Sequence, residues 1–206
     1  RAGDYRIVPG MSISADGPVE SVRIFSKTPI EKARSVALDR SSRTSVTLAK
    51  ILLKRKLGAL PEFTSCSPEA DLSSITSDAI LLIGDPAMTF RSGRDAFVFD
   101  LGEEWKTLTG LPFVYAMWVA RAGVELKGLQ SKLARARDEG LARLDEIVAE
   151  AGEELGLSLD TCAHYLKDIM KYNLGEREIE ALRLFQEFAA QDGLCPGGVK
   201  IAVDYR

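Results

Sequence analysis

Read for the spacing of its apolar positions, the chain alternates short hydrophobic runs with helical stripes and then turns almost wholly helical. Residues 5–8 predict a strand ending at Pro9-Gly10, and residues 11–18 a loop of small and polar side chains. Residues 20–26 alternate as a half-buried strand does, with Val22 and Ile24 on one face. Residues 28–31 begin a short helical turn with Pro29 at its first helical position. Ser35–Asp39 is an apolar run, after which Val46, Ala49, Leu52 and Leu53 share one face of an amphipathic helix that Gly58 closes. Residues 61–66, Ala79–Ile83 and 96–100 read as further strands, 101–108 as a short helix and 112–120 as a long apolar strand. Strands alternating with helices imply an α/β protein with a largely parallel sheet. From residue 126 to 191 the pattern is helical, over about 128–138, 139–155, 158–172 and 176–191, with Ser158 and Thr161 as caps and Gly156 and Gly175 at the breaks. Residues 198–204 read as a loop with weak strand character.

Composition narrows the function classes. The 206 residues suffice for one large domain or two small lobes, and 46% hydrophobic with 28% charged residues is a globular balance. A net charge of −3 argues against nucleic acid as the main partner. No apolar run approaches the ~20 residues of a membrane span. Cys66, Cys162 and Cys195 are scattered without C-x-x-C spacing, and His164 is the one histidine, so no zinc cluster or Cys–His pair is legible. Cytoplasm is the expected compartment. The chain opens abruptly on Arg1-Ala2-Gly3-Asp4, which suggests a missing N-terminal segment.

The hydroxyl cluster Ser41, Ser42, Thr44 and Ser45 crowds the start of the helix after residue 39. Helix N-termini carry N–H groups without intrahelical partners and a partial positive charge, so hydroxyls there serve either as ordinary caps or as a seat for a carboxylate or phosphate. Three more loops of small residues and neutral donors accompany it: Gly10–Ser14 with Gly17, Gly84–Ala87, and Thr109–Pro112. All but the last lie beside carboxyl ends of strands, where open α/β sheets place ligands. Asp85 reads as a general base or, more often in an Asp-Pro step, as a turn cap. Asp39 reads as a loop anchor, and Arg43 either pairs with a ligand carboxylate in bidentate fashion or lies in solvent. Trp105 and Trp118 are more often core than ligand platform. Residues alone stop at a small-anion-binding α/β protein.

Asp39-Arg-Ser-Ser-Arg-Thr-Ser-Val46, Leu82-Ile-Gly-Asp-Pro-Ala87, residues 100–118 and residues 8–14 with 17–22 together resemble the chorismate dehydratase family of menaquinone biosynthesis. The resemblance implies the two-lobed fold of type II periplasmic binding proteins with a helical C-terminal region, working in the cytoplasm. Residues 1–27 would form the crossover strands and loop, 28–110 an α/β lobe, and 111–206 a return strand and helices on the first lobe. The implied reaction removes water from chorismate, as the opening of the futalosine route, with no metal or organic cofactor and no nucleic-acid or membrane partner. The resemblance puts Ser12, Ser14, Ser41, Ser42, Arg43, Thr44 and Ser45 in contact with substrate and Asp85 on a facing loop. The base would be a substrate carboxylate or a group outside these residues. Family members begin with a further strand and a Ser-Tyr-Leu-Asn-type loop that this chain lacks, so it starts where the first lobe is already partly built. Two readings compete. A non-catalytic binding protein for a small carboxylate would use the same loops, and the related dihydroxynaphthoate-forming enzyme would need a histidine-type base, whereas His164 lies in the helical region.

Overall fold

In chain order the elements are β1 (Tyr5–Ala15), β2 (Val22–Ser26), a 3-10 turn (Ile30–Lys32), β3 (Ser35–Asp39), α1 (Arg43–Leu57), β4 (Glu62–Cys66), β5 (Ala79–Ile83), α2 (Asp85–Thr89), β6 (Phe97–Asp100), α3 (Leu101–Thr109), β7 (Phe113–Arg121), α4 (Leu129–Ala142), α5 (Leu144–Leu155), α6 (Leu159–Ala163), a π-helical turn (His164–Ile169), β8 (Met170–Lys171) and α7 (Glu176–Gln191). They come from a computed structural model that describes residues 5–39, 42–66, 75–90, 97–121, 123–198 and 201–203. Ser41 and Ala96 lie outside the described residues. Two units divide the chain: residues 17–110, and residues 1–16 with 111–206.

The 17–110 unit is built on a five-stranded sheet of order β4-β3-β5-β2-β6. The sheet is mixed and not largely parallel. β3 runs parallel to β4 and β5, while β2 is antiparallel to both β5 and β6. Strand propensity cannot tell the two directions apart; the route of the connections decides. Phe25, Ala37, Ile80 and Leu82 cluster with Ala87 of α2 on one face. Alternation turns Ile24, Val36 and Leu81 to the other, where α1 packs on β5 and α3 on β2. α1 buries Leu48, Ile51 and Leu53 completely, worth roughly 2 kcal/mol each. The buried stripe is thus wider than the four positions read from spacing, and Val46 sits at its margin, half-buried. Trp105 of α3 is fully buried, as a core tryptophan should be. Pro29 precedes the 3-10 turn as its cap and is not its first residue.

Asp78 ties the starts of β3 and β5 together. One carboxylate oxygen accepts from the Arg34 N–H at 2.8 Å, the Ser35 N–H at 3.1 Å and the Ser35 hydroxyl at 3.2 Å. The Arg34 N–H is the largest cause of a lowered Asp78 pKa; desolvation opposes it, and the Ser35 bonds and the Lys27 charge add to the lowering. A carboxyl held below its ordinary 3.8 when folded contributes stability above that value and loses it as pH falls through the folded pKa. We expect the urea midpoint to fall more steeply from pH 4 downward in the wild type than in Asp78→Asn. Parallel pH profiles would show that the carboxylate contributes nothing.

The second unit carries the antiparallel sheet β7-β1-β8 and most of the helices. Here the structure corrects the reading of residues 9–14. Pro9-Gly10 does not end the strand, and residues 11–14 are strand, not loop. The pairing passes from Ile7↔Val119 to Ser12↔Met117, so residues 8–11 of β1 oppose Trp118 alone in a bulge. A bulge tolerates the missing N–H of Pro9, and Gly10 at φ 91° takes a conformation that other side chains resist. β1 finds partners on its other edge too: Ile7 N–H donates to Ala202, Gly10 N–H to Leu174 and Ser12 N–H to Tyr172. Those bonds explain why the helix expected over 158–172 stops early: it widens into the π turn, and Met170–Lys171 pairs with Ser14–Ala15. The helix break expected near residue 138 falls at Arg143. α7 packs on β7, with Ile7, Val114, Leu174, Ile179 and Leu182 as the shared core.

Candidate functional site

Within the 17–110 unit, several groups meet at one edge of the sheet. β3 and β5 are adjacent and parallel, so the chain leaves both at the same edge, entering α1 after one and α2 after the other. The register Val22↔Ile83 and Arg23↔Asp100 brings the start of β2 and the end of β6 to that edge as well. Such an edge at the carboxyl ends of parallel strands is where open α/β sheets receive ligands.

Ser42 is the N-cap of α1, its oxygen accepting from the Ser45 N–H at 3.2 Å. Its hydroxyl donates to Ser45 Oγ at 3.0 Å, and Ser45 is buried beneath it. The N–H groups of Arg43 and Thr44, in the first turn, point out of the helix end. α1 has no acid in its first turn and Lys54, Arg55 and Lys56 in its last. The basic end matches the helix dipole, while no side chain of its own neutralises the positive start. α3 differs: Asp100 caps it and Glu103 and Glu104 fill its first turn. Of the candidates, Arg43 is exposed and Ser42 and Thr44 half-exposed, so these three present themselves to solute; Ser45 serves the cap. Asp85 is the exposed first residue of α2, with Gly84 before it at φ 72°. The Gly84–Ala87 segment is therefore a helix start and not a loop.

Spacing missed the group that orders this edge. Asp100 accepts from Val19 N–H at 2.9 Å, Glu20 N–H at 2.8 Å, Gly102 N–H at 2.9 Å, Glu103 N–H at 3.2 Å and Arg23 Nε at 3.1 Å. It is buried, and it fastens residues 19–20 to the start of α3. The available signal was an aspartate followed three residues later by a glutamate at a helix start. The strand reading of residues 96–100 absorbed it.

In the other unit Ser12 and Ser14 are buried in β1. Ser12 Oγ donates to the Asn173 carbonyl at 2.6 Å and Ser14 Oγ to the Lys171 carbonyl at 3.2 Å, so both hydroxyls serve the strand's own neighbours. The same unit holds a cavity of about 710 Å³. Met11, Ile13, Trp118, Leu133, Leu141 and Ile147 dominate its walls, with Ser12, Arg137 and Tyr172 as polar members. Arg137 Nη1 is engaged by the Gly10 carbonyl at 2.6 Å and Asn173 Oδ1 at 2.8 Å, and its Nη2 by Asp138. Burial, with the Tyr165 hydroxyl as a lesser cause, raises the Tyr172 pKa. Trp118 is 55% exposed, against the core position read for it. His164 lies on the surface paired with Asp168 at 3.0 Å. Among the described residues, no group of three or more His, Cys, Asp or Glu side chains gathers as metal ligands would, and no helix is long and apolar enough to cross a membrane.

Comparison with known proteins agrees with this architecture. A chorismate dehydratase of Thermus thermophilus is 34% identical over 198 residues, spanning 88% of this chain and 72% of its own. A crystal structure of a protein from Archaeoglobus fulgidus superposes with a TM-score of 0.69 at 23% identity, over 93% of this chain and 74% of its own, and shares the fold. The sequence model of a family described as menaquinone biosynthesis matches residues 1–191. The chain therefore belongs to that menaquinone biosynthesis family.

Proposed function

We propose that this protein is a chorismate dehydratase, a hydro-lyase that converts chorismate to 3-[(1-carboxyvinyl)oxy]benzoate and water on the futalosine route in the cytoplasm. The observation that carries it is the 34% identity to the Thermus chorismate dehydratase across 88% of the chain. The start of α1 supports it independently: a helix end with no acid in its first turn and with a half-exposed serine and threonine suits one carboxylate of a dicarboxylate substrate. We further assign the chain to the type II periplasmic-binding-protein-like fold.

In this mechanism Ser42, Thr44 and the first-turn N–H groups of α1 hold a carboxylate, and Arg43 stands ready to pair with it. Ser12, Ser14, Ser41 and Ser45 remain candidate contacts or supports, and Asp85 lies at the same sheet edge as Ser42. The reaction breaks the ring C–O bond to the hydroxyl and removes a neighbouring ring proton, so that the electron pair of the C–H bond completes the aromatic ring. The proton passes to a substrate carboxylate, which delivers it to the departing hydroxyl, so that the oxygen leaves as water. Aromatisation supplies the driving force, so orientation and neutral donors that stabilise developing charge carry the catalysis.

Chorismate loss with product identification by mass tests the reading on the full-length protein. Formation of the enolpyruvyl benzoate, reduced about tenfold in Thr44→Ala as one donor to the bound carboxylate is lost, is the expected result. Tight binding of chorismate or another small carboxylate without turnover would instead identify a solute-binding protein.

A further inference from the structure

Residues 19–21 lie at the sheet edge where α1 and α2 begin, and they form a turn that the fold holds under strain. The Ser21 N–H donates to the Val19 carbonyl at 2.7 Å, which closes a three-residue γ-turn around Glu20. Glu20 stands at its centre with φ 62°, one of two residues other than glycine with positive φ among the described residues. A γ-turn of that hand is the rare, strained form, and it persists only where surrounding contacts over-determine it. Asp100 supplies those contacts. Its Oδ1 accepts from the Val19 N–H at 2.9 Å and its Oδ2 from the Glu20 N–H at 2.8 Å, so one buried carboxylate grips both N–H groups that lead into the turn. Arg23 adds a second hold, donating from Nε to the same Oδ2 at 3.1 Å and standing 3.5 Å from the Glu20 carboxylate.

The other end of the turn leads to the candidate site. The Ser21 carbonyl accepts the Gly84 N–H at 2.7 Å, one step beyond the Val22↔Ile83 pair of the β2–β5 ladder. Ser21 is buried, so that bond is sheltered from water. Gly84 caps α2, and Asp85 follows it directly. A run of bonds thus joins Asp100, through the strained turn, to the backbone that carries Asp85, all within residues 17–110. Strain of this kind collects at functional sites, where it fixes a geometry that a relaxed chain would not keep.

We propose that Asp100 is a positioning residue for the reaction. Through the Val19–Ser21 turn it sets where Gly84 and Asp85 stand relative to the substrate carboxylate held at the start of α1. Its effect falls on kcat and spares KM, because the Ser42–Ser45 cap of α1 does not pass through this turn. The proposal rests on the dehydratase reading.

Chorismate turnover by the full-length protein tests it, with kcat and KM separated and each variant assayed where its near-ultraviolet circular dichroism matches the wild type. In Asp100→Asn the amide oxygen stays with the three N–H groups on the Oδ1 side, so the NH2 faces the Glu20 N–H and Arg23 and releases the turn. We expect kcat to fall about tenfold while KM stays within about twofold. Adding Glu20→Gly to that variant returns kcat to within about threefold of the wild type, since glycine takes positive φ without a brace. A merely structural role for Asp100 predicts no such rescue. Glu20→Val decides the matter even where Asp100→Asn does not fold. It leaves the Asp100 carboxylate in place but opposes a φ of 62°, and kcat again falls about tenfold. An active wild type whose kcat is unmoved by Glu20→Val or by folded Asp100→Asn overturns the proposal and leaves the dehydratase reading standing. A change confined to KM, or a loss that Glu20→Gly does not recover, does the same. A wild type without turnover overturns that reading and this proposal with it.

Discussion

Asp100→Ala is expected to cost about 3–5 kcal/mol of stability, since it removes a buried charge and abandons its donors at once. The carboxylate serves four backbone N–H groups and Arg23. Val19 and Gly102 are buried, so their freed N–H groups find no water. Glu20, held at φ 62°, loses the bond that keeps a side-chain-bearing residue in that conformation. Asp100→Asn keeps one acceptor oxygen for one set of donors but presents an amide to the other, so it should lose about half as much. Urea unfolding of the three proteins measures both. An alanine variant within about 1 kcal/mol of wild type would mean that water replaces the carboxylate at little cost.

Thr44→Asp should move stability and activity in opposite directions. An acid in the first turn of α1 meets a positive helix end whose own first turn holds no acid, which stabilises the helix by about 0.5 kcal/mol. The same charge occupies the field offered to the substrate carboxylate and repels it. We expect kcat/KM for chorismate to fall by roughly 100-fold, equivalent to about 2.7 kcal/mol of lost transition-state stabilisation. A stabilised variant with wild-type turnover would show that the α1 start is a cap only. Loss of both quantities would point to a disturbed fold.

The contrast between α1 and α3 is instructive for reading sites from sequence. Both helices follow a strand that ends in aspartate, and both have hydroxyl or acidic residues at their start. Asp100 is consumed by its own fold, whereas α1 keeps its first turn free of acid. First-turn charge was therefore the legible discriminator, more informative than the number of hydroxyls. Ser45 looked as available as Ser42 in the sequence, but a single i, i+3 step placed it beneath the cap.

Strands β3 and β5, helix α1 and its Gly58 cap were legible because each rests on local chemistry: apolar alternation, a capping serine, a glycine at φ 71°. So was the hydroxyl-rich start of α1 at a carboxyl strand end, since the strand-to-helix turn lies within a few residues. What the sequence could not settle is what depends on partners far along the chain. Pro9-Gly10 reads as a stop, yet β1 continues through it because residues 170–174 and 202 pair on one edge and β7 on the other. Ser12 and Ser14 read as loop donors, but Lys171 and Asn173, more than 150 residues away, take their hydroxyls. The sheet became mixed because β2 entered between β5 and β6 in the opposite sense. Trp118 reads as a core residue by its type, but residue type states only that its face favours burial. Whether a partner lies against that face is a three-dimensional fact, and hydrophobic burial acts on whichever surface the fold brings near.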